Sequence, residues 1–516
     1  MKTFVFGIDG ASYNLMEKFM DEGKLPTFQM LKEKGIYGKM NSTVPPHTAP
    51  GWISAFTGVN PGQHGIYQFW DTQAQNYVGK FMGSIDFGVP AIWDILNKYG
   101  IKTGVVNVPM THPPKKLNGF MITWPLSKTL RYTYPEDLLI KIAKNGGHYV
   151  NDLIMMCDGK SDYISKAIEV TKKRVKTLEY LLNKYEWDFM SVVFTEIDRI
   201  SHFFWHYMDP ESPEYQKQVE DRLKTAVEDI YIETDRALCN ILKLLPRETS
   251  VLIFSDHGFG VGYIDFYVQT YLMKKGYLKS YKTIQLEADR FQEMNKNSWF
   301  EYKIGTSLYT VDWNNTVAFM AAPGSYGINI NLKGRQEYGI VLEEEYESIR
   351  DRLIQDLMLV TNPQTGKELF RKVVRREEVY KGKKVANAPD LILIPENYGI
   401  MLHHSIVPGQ LFGLPEQKGM HRNEGVYLVY KEDEVLEQQI EEPNLVDIAA
   451  TILYLNAIEI PEYMEGRPIC KLQSKIKINQ NESIRNGLQT ESVNKDIYKK
   501  DEIEEVKQHL KALGYL

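Results

Sequence analysis

The sequence predicts an α/β fold: a mostly parallel, doubly wound sheet flanked by helices, with an inserted cap. Three observations predict it. Short apolar, β-branched runs alternate with longer helical patterns, as βαβ units require. Three of those runs end close to an Asp, and in open α/β sheets ligands bind beyond the carboxyl ends of strands. The composition is near the globular average, with 43% hydrophobic and 25% charged residues among 516, which excludes disorder, collagen and coiled coil.

In chain order the strands are expected at Thr3–Ile8, Thr103–Val108, Phe189–Thr195, Val251–Phe254, Leu391–Ile394 and Val426–Tyr430. Each is a short run rich in Val, Ile, Phe or Leu. Helical patterns fill the gaps at Leu15–Glu22, Pro26–Lys34, Gly51–Phe56, Ala91–Lys98, Ile164–Lys184, Tyr215–Leu244, Glu344–Leu359 and Leu445–Leu455. Residues 265–315 break the pattern with polar and aromatic clusters and read as the cap. Residues 473–495, rich in Lys, Asn, Gln, Ser and Glu, read as a solvated linker. In Asp501–Leu516 the side chains of Val506, Leu510 and Leu513 fall on one helical face, which suits a helix docked back on the body. The expected organisation is one α/β domain over 1–472 with the 265–315 insertion, then a tail over 473–516.

Charge and cysteine usage narrow the function. Lys+Arg 61 against Asp+Glu 67 gives a net charge of −6, which disfavours a protein that wraps nucleic acid by bulk charge. Mean hydropathy is −0.36, and no apolar run reaches the ~18–20 residues of a membrane span. The start, Met-Lys-Thr-Phe-Val-Phe-Gly-Ile-Asp-Gly, leaves no room for a secretory leader. Cys157, Cys239 and Cys470 are far apart and lack CxxC spacing. A cytoplasmic setting and metal binding through Asp and His rather than Cys are therefore expected.

Asp9, Asp198 and Asp256 follow three different strands, so parallel strands would bring them to one edge. His202 lies four residues after Asp198, and i and i+4 share a helical face, so the two can grip one cation. Asp256-His257 puts a second carboxylate–imidazole pair at a strand end. His421, in Gly-Met-His-Arg, precedes a strand. His403-His404 rivals His421, and His206 extends the Asp198/His202 spacing by one turn, where a packed residue is the commoner outcome. Carboxylate plus imidazole suits zinc, with manganese second. Thr48, in Pro-Pro-His-Thr-Ala-Pro-Gly-Trp, stands at a helix start, since Pro50 is favoured in a first turn. Thr48 is either a helix cap or, beside metal ligands, a nucleophile. Arg335 is a candidate for a substrate anion, and Trp52, Trp70 and Trp205 suit either core packing or stacking on a base.

These residues resemble the alkaline phosphatase superfamily in its type I phosphodiesterase/nucleotide pyrophosphatase branch, and look closest to its prokaryotic phosphohydrolase/phosphomutase-like members. The motifs are Gly7-Ile-Asp-Gly, Thr48-Ala-Pro, Thr57-Gly-Val-Asn-Pro-Gly-Gln-His-Gly-Ile, Glu196-Ile-Asp-Arg-Ile-Ser-His, Ser255-Asp-His-Gly and Gly419-Met-His-Arg. The resemblance implies two divalent metal sites, one held by Asp198, His202 and His421 and one by Asp9, Asp256, His257 and the Thr48 oxygen. It implies two metals ~3.5–4 Å apart clamping a phosphoryl group, hydrolysis of a small phosphate ester through a phosphothreonine at Thr48, and transition-state contacts from the Ala49 amide. Two departures stand out. Phe69, preceded by Gln68, occupies the position of the diesterase Asn, and no phosphate-gripping Arg is evident. A phosphomutase or phosphomonoesterase is the alternative activity, and a binding protein on the same fold is the non-catalytic one. The Cys/Ser-x-Pro-x-Arg pattern of sulfatases is missing.

Overall fold

In the computed structural model the chain is described at residues 1–77, 79–125, 129, 131–145, 147, 149–150, 160–281, 311–321, 324–407, 409–474, 478, 502–503, 505 and 507. The parallel strands sit together because they are buried on both faces. Thr3–Ile8 shows it: Val5 packs into the apolar layer on one side, while Phe4, Phe6 and Ile8 pack into the layer on the other. That two-sided burial requires helices on both faces.

Among the described residues the main sheet has eight strands, in the order Ile36–Asn41, Glu424–Lys431, Ser250–Phe254, Thr3–Ile8, Phe189–Phe194, Thr103–Val106, Gly119–Ile122 and Thr133–Tyr134. The run from Ser250–Phe254 to Gly119–Ile122 is parallel. Glu424–Lys431 and Thr133–Tyr134 run against their neighbours. One face carries helices Thr48–Thr57, Ile92–Lys98 and Val446–Leu455. The other carries Tyr13–Asp21, Pro26–Lys34, Ser161–Lys184, Glu196–Met208 and Ala226–Leu242.

The helix expected over Tyr215–Leu244 is shorter. It starts at Ala226, after a separate turn over Asp221–Lys224. The run between Tyr215 and Thr225 is dominated by polar and charged residues, most of them exposed or half-buried.

A second lobe has its own core, built from residues between Ile264 and Leu402 together with Tyr67 and Tyr77. Leu391–Pro395 is a strand, as the sequence suggests, but it belongs to this lobe. It lies in an antiparallel sheet ordered Ala318–Phe319, Gly327–Ile330, Leu391–Pro395, Phe370–Arg375. A three-stranded sheet, Ile400–His403, Ile264–Tyr267 and Phe412–Gly413, links the lobe to the body. Most of the segment expected as a cap, 282–310, lies outside the described residues. So do Val506, Leu510 and Leu513 of the expected terminal helix, and most of the expected linker.

Candidate metal centre

Parallel pairing does what the strand-end carboxylates require. Gly7 is level with Phe254, and Ile8 with Phe194, so Asp9, Asp256 and the helix bearing Asp198 emerge at one edge. Gly10 turns the chain at φ 74°, and a Cβ there would lie 2.9 Å from the Phe259 ring and 3.2 Å from Asp198 Cβ. The strand Gly419–Arg422 pairs with Gly258–Val261, setting His421 opposite Phe259. His421 thus lies inside a short strand of its own, and its ring stacks on His257 with centroids 3.6 Å apart.

Two groups of candidate ligands result: Asp198, His202 and His421, and Asp9, Asp256 and His257. All six are buried, and within each group the ligand atoms lie within 4.8 Å of one another. His202 Nδ1 lies 3.0 Å from the Gly419 carbonyl, His421 Nδ1 3.2 Å from that of Pro46, and His257 Nδ1 3.1 Å from that of Gly258. A carbonyl only accepts, so each Nδ1 carries the proton and each Nε2 presents a lone pair inward.

Those lone pairs face other acceptors. His202 Nε2 and His421 Nε2 are 3.1 Å apart, and each is 3.3 Å from Asp198 Oδ1. His257 Nε2 is 3.4 Å from Asp9 Oδ1 and 3.4 Å from Asp256 Oδ2. Asp256 Oδ2 is buried and accepts no hydrogen bond. Imidazole nitrogens and carboxylate oxygens converging in this way suit a cation. Ligands ~2.0–2.2 Å from a tetrahedral cation sit roughly 3.3–3.6 Å apart, close to these spacings. The donor set fits divalent metals.

The electrostatics agree. Burial, and then the Asp198 charge, push the Asp256 carboxyl well above the usual carboxylate range. Burial works the same way on Asp198, but the His202 imidazole and the Arg199 guanidinium outweigh it and hold that carboxyl well below its usual value. Burial pushes His257 and His421 below the ordinary imidazole range, with His421 adding to it at His257 and His202 at His421. Neutral imidazole is the ligating form.

Thr48 Oγ1 reaches the second group, 3.3 Å from His257 Nε2. Thr48 is the first residue of its helix and not the cap. The cap is His47, whose Nδ1 accepts the Ala49 N–H at 3.0 Å. The Ala49 amide, expected to meet substrate, is engaged by this cap in the structure. Gly51 lets the helix press on the site, where a Cβ would lie 3.2 Å from Asp256 Cβ. His64 braces the same helix from behind: its Nε2 lies 3.0 Å from Ser54 Oγ, and its Nδ1 accepts the Ile66 N–H.

Gln68 is buried and its Oε1 accepts the Phe69 N–H at 2.8 Å. A Cβ on Gly324 would lie 3.7 Å from its Nε2. Phe69 packs edge-on against His47 and near Trp124. Arg335 is not brought to the centre. Its guanidinium forms a two-pronged pair with Asp390, at 2.7 and 2.6 Å, and also donates to the Ile330 carbonyl. That corrects its candidacy for a substrate anion. Trp52 lies buried between Phe56 and Phe254, and Trp205 packs on Phe259. His206 contacts Tyr207 and joins neither ligand group. Sequence reasoning missed His47 and Arg199, the buried cation paired with Asp198. The Arg next to a candidate ligand was the available signal. Beside His421 a pocket is walled by Pro46 and His47 of the body and by Gly324, Tyr326, Met401 and Gln417.

The model of the type I phosphodiesterase/nucleotide pyrophosphatase family matches residues 3–422. The chain belongs to that family. It is therefore an enzyme of the phosphoric ester hydrolase class. No curated protein sequence matches it. Among solved structures it is similar to phosphonoacetate hydrolase from Sinorhizobium meliloti 1021, in complex with phosphonoacetate. The TM-score is 0.53 at 15% identity, covering 88% of this chain and 95% of that one. The same enzyme with phosphonoformate gives a TM-score of 0.55 at 15% identity, with coverage of 88% and 95%. An inactive variant of murine ectonucleotide pyrophosphatase/phosphodiesterase 5, in complex with AMP, gives 0.50 at 12% identity, with coverage of 88% and 94%. At these identities the likeness concerns the fold, which is that of the alkaline phosphatase superfamily. Among the described residues no helix is long and apolar enough to cross a membrane.

Proposed function

We propose that the chain hydrolyses small phosphate esters, with diester or pyrophosphate bonds favoured, through a phosphothreonine at Thr48 and with two divalent cations, zinc or manganese. The observation that carries this reading is the convergence of imidazole lone pairs and carboxylates, with the Thr48 hydroxyl 3.3 Å from His257 Nε2. Asp198, His202 and His421 would hold one cation, and Asp9, Asp256, His257 and Thr48 the other. Bound there, the cations supply charge neutralisation of the phosphoryl oxygens and acidify the coordinated hydroxyl.

The chain's own groups do the rest. The Thr48 oxygen forms the bond to phosphorus, its proton leaves to water, and the ester oxygen departs with the bonding pair. Water then breaks the Thr48–phosphorus bond, releasing phosphate or its monoester and restoring the hydroxyl. The Gly419, Pro46 and Gly258 carbonyls hold the three imidazoles in the ligating tautomer. Gln68, whose Nε2 lies near Gly324 on the pocket wall, is our candidate donor to substrate.

The test is Thr48→Ala assayed with zinc or manganese on p-nitrophenyl phosphate, its diester analogues and dinucleotides. A fall of ~10³-fold or more at saturating metal is expected. Undiminished turnover would refute the covalent step. The ester class hydrolysed by wild type decides between diester and monoester.

A further inference from the structure

Among the described residues, one more group of candidate metal ligands stands out beyond the proposed catalytic centre. Asp265, His403 and Glu416 each offer a ligand atom, and these lie within 4.8 Å of one another. They come from three segments of the small sheet that joins lobe to body. Asp265 is on its middle strand, and His403 ends the parallel neighbour, two positions on from Asp265's partner Met401. Glu416 follows the strand Phe412–Gly413, whose Gly413 faces Asp265. His403 Nε2 lies 3.0 Å from Asp265 Oδ2, which also accepts the Glu416 N–H at 3.0 Å. Asp265 is fully buried, and its Oδ1 accepts no hydrogen bond. Glu416 is half-buried, while Asp265 and His403 are buried.

We propose that Asp265, His403 and Glu416 form a third divalent cation site, for zinc or manganese, separate from the catalytic pair. Two carboxylates and an imidazole are a ligand set these metals accept. One carboxylate oxygen here is buried without a donor, and burying such an acceptor is costly unless a cation or donor meets it. The site has a consequence for the centre. Glu416 begins the stretch that runs through Gln417 on the pocket wall and Gly419, which anchors His202, to His421. Lys418 N–H donates to the His202 carbonyl at 2.7 Å. A cation at Glu416 pins the segment that carries one catalytic ligand and orients another.

The experiment counts metal. Full-length protein is stripped with EDTA, equilibrated with zinc, freed of excess by gel filtration and measured by plasma mass spectrometry. The expected result is one equivalent more in wild type than in His403→Gln or Glu416→Gln, with all three eluting alike. Glu416→Gln keeps the backbone bond to Asp265, so its loss of metal reports the carboxylate and not misfolding. Equal counts in wild type and both variants would overturn the proposal. The comparison is a difference. A catalytic centre holding fewer than two equivalents would lower all three counts together and bear on the proposed function instead. Crystals of the zinc-loaded protein give a second readout: an anomalous peak among the three side chains is expected, and a filled catalytic centre without that peak also overturns the site.

Discussion

Asp256→Asn should raise the melting temperature of the metal-free protein and lower that of the metal-loaded one. Asp256 is buried against Asp9, Asp198 and His257, and burial with the Asp198 charge raises its carboxyl well above the usual range. A group whose folded value is raised adds stability only below its unfolded value, ~3.9, and loses it as pH rises toward the folded one. At pH 7 the metal-free fold therefore carries a penalty. Linkage caps it at ~1.4 kcal/mol for each of the roughly three pH units above 3.9, or about 4 kcal/mol. The Asn amide removes the charge, its oxygen can still accept the Gly10 N–H now held at 3.2 Å, and its NH₂ can donate to the His257 Nε2 lone pair 3.4 Å away. Unfolding entropy of ~2.1 cal/mol/K per residue over 516 residues converts the cap to a rise of up to about 4 °C.

With metal the sign reverses, since a tightly bound ligand at ~1,000 times its Kd adds about 4 kcal/mol to wild type and the variant lacks a ligand for it. Differential scanning calorimetry in EDTA and in zinc, at pH 5 and pH 7, reads both effects. The gain in EDTA should shrink at pH 5. A variant that melts lower than wild type in EDTA would refute the reasoning, because Asp256 would then be stabilising the fold without a cation.

The remaining predictions concern packing and the lobe. Gly51→Ala sets a methyl 3.2 Å from Asp256 Cβ, so it should cost about 1–2 kcal/mol by overpacking and lower turnover, because the helix that shifts carries Thr48; denaturation and steady-state kinetics check both. Arg335→Ala removes one of the partners of the buried Asp390 and should destabilise by about 3 kcal/mol, with kcat/KM unchanged because Arg335 lies within the lobe. Arg199→Ala takes away the guanidinium that favours the ionised Asp198, so metal affinity should fall and fall more steeply as pH is lowered, which calorimetric zinc titration at pH 6 and pH 8 would show.

The candidate ligand groups were legible because their members stand at local landmarks. Asp9 and Asp256 follow apolar runs, and Asp198 and His202 are spaced for one helical face. The fold class was legible for the same reason. Boundaries and fates were less so. From local sequence Thr48 reads first as a helix cap, and as a nucleophile only beside the metal ligands; the structure shows His47 capping the helix through its ring. Leu391–Ile394 has the composition of a central strand, but it pairs inside the lobe, and nothing in a four-residue run says which sheet it joins.

The sequence by itself determined which chemistry the chain carries: carboxylates and imidazoles at strand ends, no cysteine pair, and a Thr before Ala-Pro. Local periodicity and strand-end position suffice for that. Only the tertiary structure decided how those groups are aimed. The His202 ring is fixed by a carbonyl 217 residues away and the His421 ring by one 375 residues away, and Arg335 is claimed by Asp390 55 residues on. It also took His403, a rival to His421 in the sequence, and placed it beside Asp265 and Glu416. Orientation and competition for partners are set by contacts between distant segments, and packing makes those contacts.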